Sequence, residues 1–265
     1  MGALVFIGLG LYDLRDLTAR ALDEVRGCDL LFAEFYTSRL VRTSHDELES
    51  VLGREIRVLN RKEVEEGQAV LDAARTYRVG FLAAGDSMAA TTHVDLRLRA
   101  HRLGIPTRVV PGLSALTAAA GALGLQHYKF GRTTTLPIQE TGYAPTSPYE
   151  VVETNRGAGL HTLALLDLKD DHAMTPKEGF ESLLEMESRL SRGVVEEETV
   201  ACLAGALGSP EPTLKADRVK GLLGADPGPP PHSLVLPGPL HFMEVDALQA
   251  FAGLPADLAD RLRDL

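Results

Sequence analysis

Two α/β domains are predicted for this chain, on three observations. Short β-rich runs alternate with stretches of helical periodicity along most of the sequence. Pro111-Gly112 and a following run of small residues interrupt that alternation before it resumes. The length of 265 residues exceeds the roughly 100–200 of an ordinary domain, so one large or two medium units are expected. The boundary is placed at the interruption, with residues 1–110 forming an N-terminal α/β domain around a parallel sheet and residues 111–265 a C-terminal α/β domain.

In the first part, strands are expected at 3–7, 29–33, 55–59, 79–83 and 106–110. Between the first two, Leu14, Leu17, Ala21, Leu22 and Val25 fall on one helical face. Residues 62–77 and 92–103 read as further helices. Strand–helix alternation of this kind points to a parallel sheet covered by helices. Ser44 with Glu47 and Thr92 with Asp95 have capping-box spacing or a close variant of it. Ser147-Pro148 and Thr175-Pro176 place proline where a helix opens, and a missing N–H costs nothing there. In the second part, strands are expected at 133–137, 161–167, 199–204 and 233–236, with helices at 147–156, 176–190, 215–223, 245–252 and 255–262. The proline- and glycine-rich segment 226–231 reads as a loop.

Composition narrows the function classes. A hydrophobic fraction of 45% and a charged fraction of 24% are those of a globular protein. The net charge of −10 and the lack of basic stripes argue against direct nucleic-acid binding. Cys28 and Cys202 lie in apolar stretches far apart, which suits reduced core thiols, and neither has a neighbour at zinc-ligand spacing. No metal site is expected. The N-terminus lacks a basic region, a long apolar region and a cleavage site, and no apolar run approaches the roughly 18–20 residues of a membrane span. A cytoplasmic protein without a membrane segment is expected.

Chemistry is expected at strand ends. The first strand runs into Gly8-Leu9-Gly10-Leu11-Tyr12-Asp13, where two glycines permit a tight turn and close ligand approach. Ligands of open α/β sheets gather outside the carboxyl ends of strands. The full dinucleotide fingerprint needs a third glycine where Asp13 stands, so a plain βα turn remains an equal reading. The fourth strand ends in Ala84-Gly85-Asp86-Ser87-Met88, whose acid suits either a ribose or amino group or the cap of the next helix. Thr91-Thr92-His93 opens that helix, with His93 read as a solvent-facing first-turn residue, and His232 sits at a loop–strand junction. No nucleophile elbow, P-loop or HExxH occurs.

Taken in order, these motifs resemble the diphthine synthase family across essentially the whole chain. The matching segments are GLGLYD at Gly8–Asp13, AEFYTS at Ala33–Ser38, Gly85-Asp86, ATTHVDLRLRA at Ala90–Ala100, YKFG at Tyr128–Gly131, GLHTLALLD at Gly159–Asp167, GSPEP at Gly208–Pro212 and PPHSLVLPGPLHFME at Pro230–Glu244. The resemblance implies a fold like that of the tetrapyrrole methylases, two α/β domains with the cofactor S-adenosylmethionine between them, and a homodimer. It implies repeated N-methylation of a 3-amino-3-carboxypropyl histidine on translation elongation factor 2, giving diphthine in diphthamide biosynthesis. Carried over by position, the cofactor contacts are Leu11, Asp86, Ala89, Ser114, Ala115, Leu166, Leu207 and His232. Two departures are visible: the second turn reads GDS, where proline usually follows the acid, and the 204–208 segment is one residue longer, leaving Ala206 as the alternative to Leu207.

Methyl transfer from a sulfonium needs chiefly that an amine lone pair be held against the methyl carbon, and orientation can supply on the order of 7–11 kcal/mol. An α-amino group titrates near roughly 8, so no catalytic acid or base is assigned. Tyr12, Phe35 and Tyr36 lie beside strand ends, where they would serve either as a cation–π surface for the trimethylammonium product or as ordinary core aromatics. Two other readings are carried: a tetrapyrrole C-methyltransferase acting on a small macrocycle, and a non-catalytic module that binds the cofactor without turnover.

Overall fold

The computed structural model describes residues 2–38, 40, 42–140, 142–169 and 172–263. It divides into two compact units, Met1–Ala115 and Leu116–Leu265.

The first unit is built on five strands, β1 (Ala3–Gly8), β2 (Leu30–Glu34), β3 (Ile56–Leu59), β4 (Arg78–Ala83) and β5 (Thr107–Val110), all parallel and ordered β3-β2-β4-β1-β5. Alternate residues of β1 enter opposite cores. Val5 and Ile7 pack with Leu31, Ala33 and Leu82, whereas Leu4 and Phe6 pack with Phe32, Val79 and Phe81. A sheet apolar on both faces must be covered on both. The covering helices are α1 (Ala19–Arg26), α2 (His45–Leu52), α3 (Arg61–Glu66), α4 (Gln68–Ala74) and α5 (His93–Arg102).

Local chemistry sets several boundaries. Ser44 and Glu47 form a complete capping box. The single helix expected over 62–77 is two, because Gly67 takes a left-handed φ of 63° that an α-helix cannot continue through. Thr92 makes no capping bond; the Thr91 hydroxyl accepts the His93 N–H at 3.4 Å instead.

The second unit begins with α6 (Ala115–Leu123), which starts at the last residue of the first. Its main sheet holds β6 (Thr134–Leu136), β7 (Thr162–Leu166), β10 (Val200–Gly205), β11 (Thr213–Arg218) and β12 (His232–Leu236) in the order β11-β10-β12-β7-β6. Only β6 and β7 run parallel; the other pairs are antiparallel. A two-stranded ribbon, β8 (Leu168–Lys169) with β9 (His172–Ala173), was not expected from the sequence. Around them lie α7 (Ser147–Gly157), α8 (Pro176–Leu190), α9 (Val219–Leu222), α10 (Phe242–Ala252) and α11 (Ala256–Arg263). The helix expected over 215–223 is a correction: Lys215 to Arg218 belong to strand β11, and only the short α9 is helical. The apolar spacing there fits a helix, but the ladder to β10 overrides it.

Thr175 and Glu178 complete the capping box of α8, whereas α7 opens without a side-chain cap. Glu187 near the end of α8 accepts the Tyr149 hydroxyl and the Gly193, Val194 and Val195 N–H groups. Those donors outweigh burial and hold its carboxyl down to about 2. Cys28 and Cys202 are buried free thiols, and burial raises them to about 11 and about 12. Among the described residues, no helix is long and apolar enough to cross a membrane.

Candidate active site

In the first unit the carboxyl ends of β1, β4 and β5 meet through glycine. A Cβ on Gly8 would stand 2.6 Å from both the Gly112 nitrogen and the Gly85 oxygen, and one on Gly112 would stand 2.2 Å from the Gly85 oxygen. Backbones this close exclude every residue with a side chain. Gly10 and Gly85 exchange two backbone hydrogen bonds, at 3.2 and 2.6 Å, in an isolated bridge beyond the strands. Asp16 reaches back to accept the Leu11 N–H at 2.9 Å and the Tyr12 N–H at 2.7 Å. The βα turn read from GLGLYD is therefore a braced loop, with Leu11 half-buried on it.

Asp86 ties the next two loops together. One carboxylate oxygen accepts the Met88 N–H at 2.8 Å and the other accepts the Gly112 N–H at 3.1 Å. Each oxygen keeps acceptor capacity for a further donor. Ala89 donates its N–H to the Asp86 carbonyl at 3.1 Å. Ser114 and Ala115 follow Gly112 after Leu113, half-buried where α6 begins. Five of the eight expected residues thus stand on three neighbouring loops.

The other three gather at one end of the second unit's main sheet. Gly205, the last residue of β10, pairs with His232, the first of β12, and Ser233 pairs with Leu165. Leu166 ends β7 one residue further along that ladder. Ala206 adopts φ 48° and Leu207 follows it, both buried, so the two residues left open by the longer segment share one turn. His232 Nε2 donates to the Gly228 carbonyl at 3.1 Å. Burial, opposed by the Gly228 and Pro227 carbonyls, keeps the ring below its ordinary 6.5, hence neutral at pH 7.

Two buried polar residues were missed by sequence reasoning. Glu34, at the end of β2, is fully buried, and His93 is 1% exposed rather than solvent-facing. Glu34 Oε1 lies 3.5 Å from His93 Nε2, an approach of residues far apart in the chain that leaves no local trace in the sequence. A second buried set joins three motifs of the second unit. Glu244 lies 3.0 Å from His161 Nε2 and 2.5 Å from Lys129 Nζ, and accepts the N–H groups of Gln126 and His241 at 2.8 and 2.9 Å. Because His161 Nδ1 accepts the Gly238 N–H at 3.0 Å, Nε2 carries the hydrogen. His161 precedes β7, at the opposite end of that strand from Leu166, so this network is a brace for the unit.

The aromatic residues are mostly engaged. The Arg61 guanidinium lies 5.0 Å over the Tyr36 ring. Burial and the neighbouring Glu34 carboxylate push the Tyr36 phenol up to about 12. Phe35 packs on the first unit's core, and the Tyr12 hydroxyl accepts Arg42 Nε at 3.2 Å.

Known proteins resemble the chain along nearly all of its length. The family Tetrapyrrole (Corrin/Porphyrin) Methylases matches residues 3–220. The diphthine synthase of Methanothermobacter thermautotrophicus is 42% identical over 261 residues, 98% of this chain and 99% of that protein. That of Methanocaldococcus jannaschii is 43% identical over 251 residues, 93% and 97% of the two chains. The chain belongs to the diphthine synthases. A crystal structure of diphthine synthase matches the fold with a TM-score of 0.89 at 35% identity, covering 97% of this chain and 99% of its own. As a diphthine synthase of the tetrapyrrole methylase class, the chain is a methyltransferase and works with a methyl donor.

Proposed function

We propose that the protein is an S-adenosylmethionine-dependent N-methyltransferase of diphthamide biosynthesis that converts the 3-amino-3-carboxypropyl histidine of translation elongation factor 2 to diphthine. The observation that carries the reading is the convergence of three strand ends on loops bearing Leu11, Asp86, Ala89, Ser114 and Ala115. The resemblance to the family also assigns Leu166, Leu207 and His232 to the cofactor. The cytoplasm is the expected compartment and a homodimer the expected assembly.

The residues fit the cofactor chemically. Asp86 has lone pairs left for ribose hydroxyls or an amino group. Ala89, Leu166 and Leu207 offer apolar surface. His232, neutral at pH 7, adds no charge against a cationic ligand. When bound, S-adenosylmethionine supplies an activated methyl group on a sulfonium. The chain's own task is then to hold that ligand and an acceptor amine in line and to exclude water. No described side chain needs to move a proton, because the amine loses its own to solvent after transfer.

Two experiments test this. Mass spectrometry of elongation factor 2 bearing the aminocarboxypropyl histidine, after incubation with enzyme and S-adenosylmethionine, should show mass gains in methyl steps. The gains should vanish when the histidine is unmodified; binding of cofactor with no transfer to this acceptor would refute the reading in favour of a tetrapyrrole methylase or a silent binding module. Separately, Asp86→Ala removes two charged-acceptor hydrogen bonds, each worth about 1.5–3 kcal/mol, so calorimetry should show cofactor affinity at least about tenfold weaker. Wild-type affinity in that variant would remove Asp86 from the site.

A further inference from the structure

We propose that His93, packed beside the anchored carboxylate of Glu34, is a positioning residue that holds the Asp86 loop in the shape that binds cofactor, an inference that rests on the reading above. Between the end of β4 and the start of α5, the chain carries Asp86 and Ala89 through nine residues outside regular helix or strand. Asp86 fastens one side of this loop to Gly112. The other side is fastened at the Ser87 carbonyl, which accepts His93 Nδ1 at 2.7 Å and the Thr91 hydroxyl at 3.1 Å.

A carbonyl only accepts, so His93 Nδ1 carries the hydrogen and Nε2 is turned toward Glu34, 3.5 Å from Oε1. His93 is held there by the edge-on ring of Phe81, with centroids 4.9 Å apart. Glu34 is anchored in turn: Oε2 accepts the Tyr36 and Thr37 N–H groups at 3.1 Å each, and Oε1 accepts the Thr37 hydroxyl at 2.5 Å. The imidazole therefore sits between the loop after β2 and the loop after β4, whose strands are direct neighbours, hydrogen-bonded to the second and packed beside Glu34 of the first. Neither residue is accessible to substrate, so His93 acts through the loop it holds. His93 Nε2 and the Ser87 hydroxyl, both buried, have no hydrogen-bond partner among the described residues. That cost is tolerable where the site demands the arrangement.

The test separates hold from fold. S-adenosylmethionine affinity is measured by titration calorimetry on the wild type, His93→Leu and His93→Asn, with thermal melting as a control and turnover on elongation factor 2 at saturating cofactor. His93→Leu deletes the bond to Ser87 and should weaken binding about tenfold, while kcat at saturation stays within about threefold. His93→Asn places an amide donor where Nδ1 stood and should bind within about threefold of wild type. A folded His93→Leu that binds like wild type overturns the proposal, as does a folded His93→Asn no better than His93→Leu. Should His93→Leu fail to fold, His93→Phe takes its place: it keeps a ring against Phe81, lacks the donor to Ser87 and should weaken binding about tenfold, so unchanged affinity overturns the proposal. A wild type that does not bind S-adenosylmethionine refutes the functional reading and this proposal together. Wild-type binding matched by every folded variant refutes the proposal alone.

Discussion

Gly112→Ala is expected to abolish measurable cofactor binding and to lower stability by about 3 kcal/mol or more, beyond the 1–3 kcal/mol typical of overpacking. A methyl there would sit 2.2 Å from the Gly85 carbonyl oxygen and 2.9 Å from the Gly8 Cα. The obstructing atoms are backbone, so no rotamer change relieves the clash and a strand end must move. Movement at Gly112 breaks its bond to Asp86, and movement at Gly85 breaks the two-bond bridge to Gly10. One methyl thereby disturbs the loops that carry Leu11, Asp86 and Ser114. Thermal melting should fall by roughly 6–12 °C for a loss of about 3 kcal/mol. Gly121→Ala makes the contrast: an added Cβ there meets nothing within 4 Å inside α6, so a gain of about 0.5–1 kcal/mol is expected. Equal, small effects at both positions would show that the strand ends are not packed as described.

Glu244→Ala is expected to destabilise by about 3–5 kcal/mol, since it strands a buried imidazole, a lysine and two backbone N–H groups at once. Urea titration of the variant against wild type measures it. A loss below about 1 kcal/mol would place this network with exposed ion pairs. The same network predicts an acid response. Against the opposing effect of burial, Lys129 and the His241, Gln126 and His161 donors hold the Glu244 carboxyl down to about 2, from 4.5. A depressed carboxyl stabilises fully above its unfolded pKa, and that contribution drains away as pH falls from about 4.5 through about 2. His161, kept below 6.5 by burial, acts with the same sign, its contribution starting to fall below that value. Acid titration of wild type should therefore show stability lost progressively below pH 6.5, and the loss should be shallower in Glu244→Gln.

The motifs that resemble the diphthine synthases divide by what they do in the fold. GLGLYD and the Gly85-Asp86 turn lie at the loops proposed for cofactor, whereas YKFG, GLHTLALLD and the LHFME ending meet in the brace of Lys129, His161 and Glu244. The more distinctive segments are in part structural. A buried charged network leaves little freedom to its residue types, because removing one member leaves the others unpaired in a medium that solvates them poorly.

By itself the sequence determined what depends on near neighbours: nine of the ten strands of the two main sheets, the capping box at Ser44, the helix start at Thr175-Pro176, and the turns at Gly10 and Gly85. Propensity, capping and turn geometry act over a few residues, and a linear reading sees them. It went wrong where tertiary pairing overruled a local pattern, as when the ladder to β10 drew Lys215–Arg218 into β11. Only the tertiary structure decided which chemistry met. His161 and Glu244 are 83 residues apart, and the three glycines that close on one another stand on three different strands' ends. Contacts of that kind depend on strand order and register, which no local window contains, because they follow from how the whole chain buries its apolar faces.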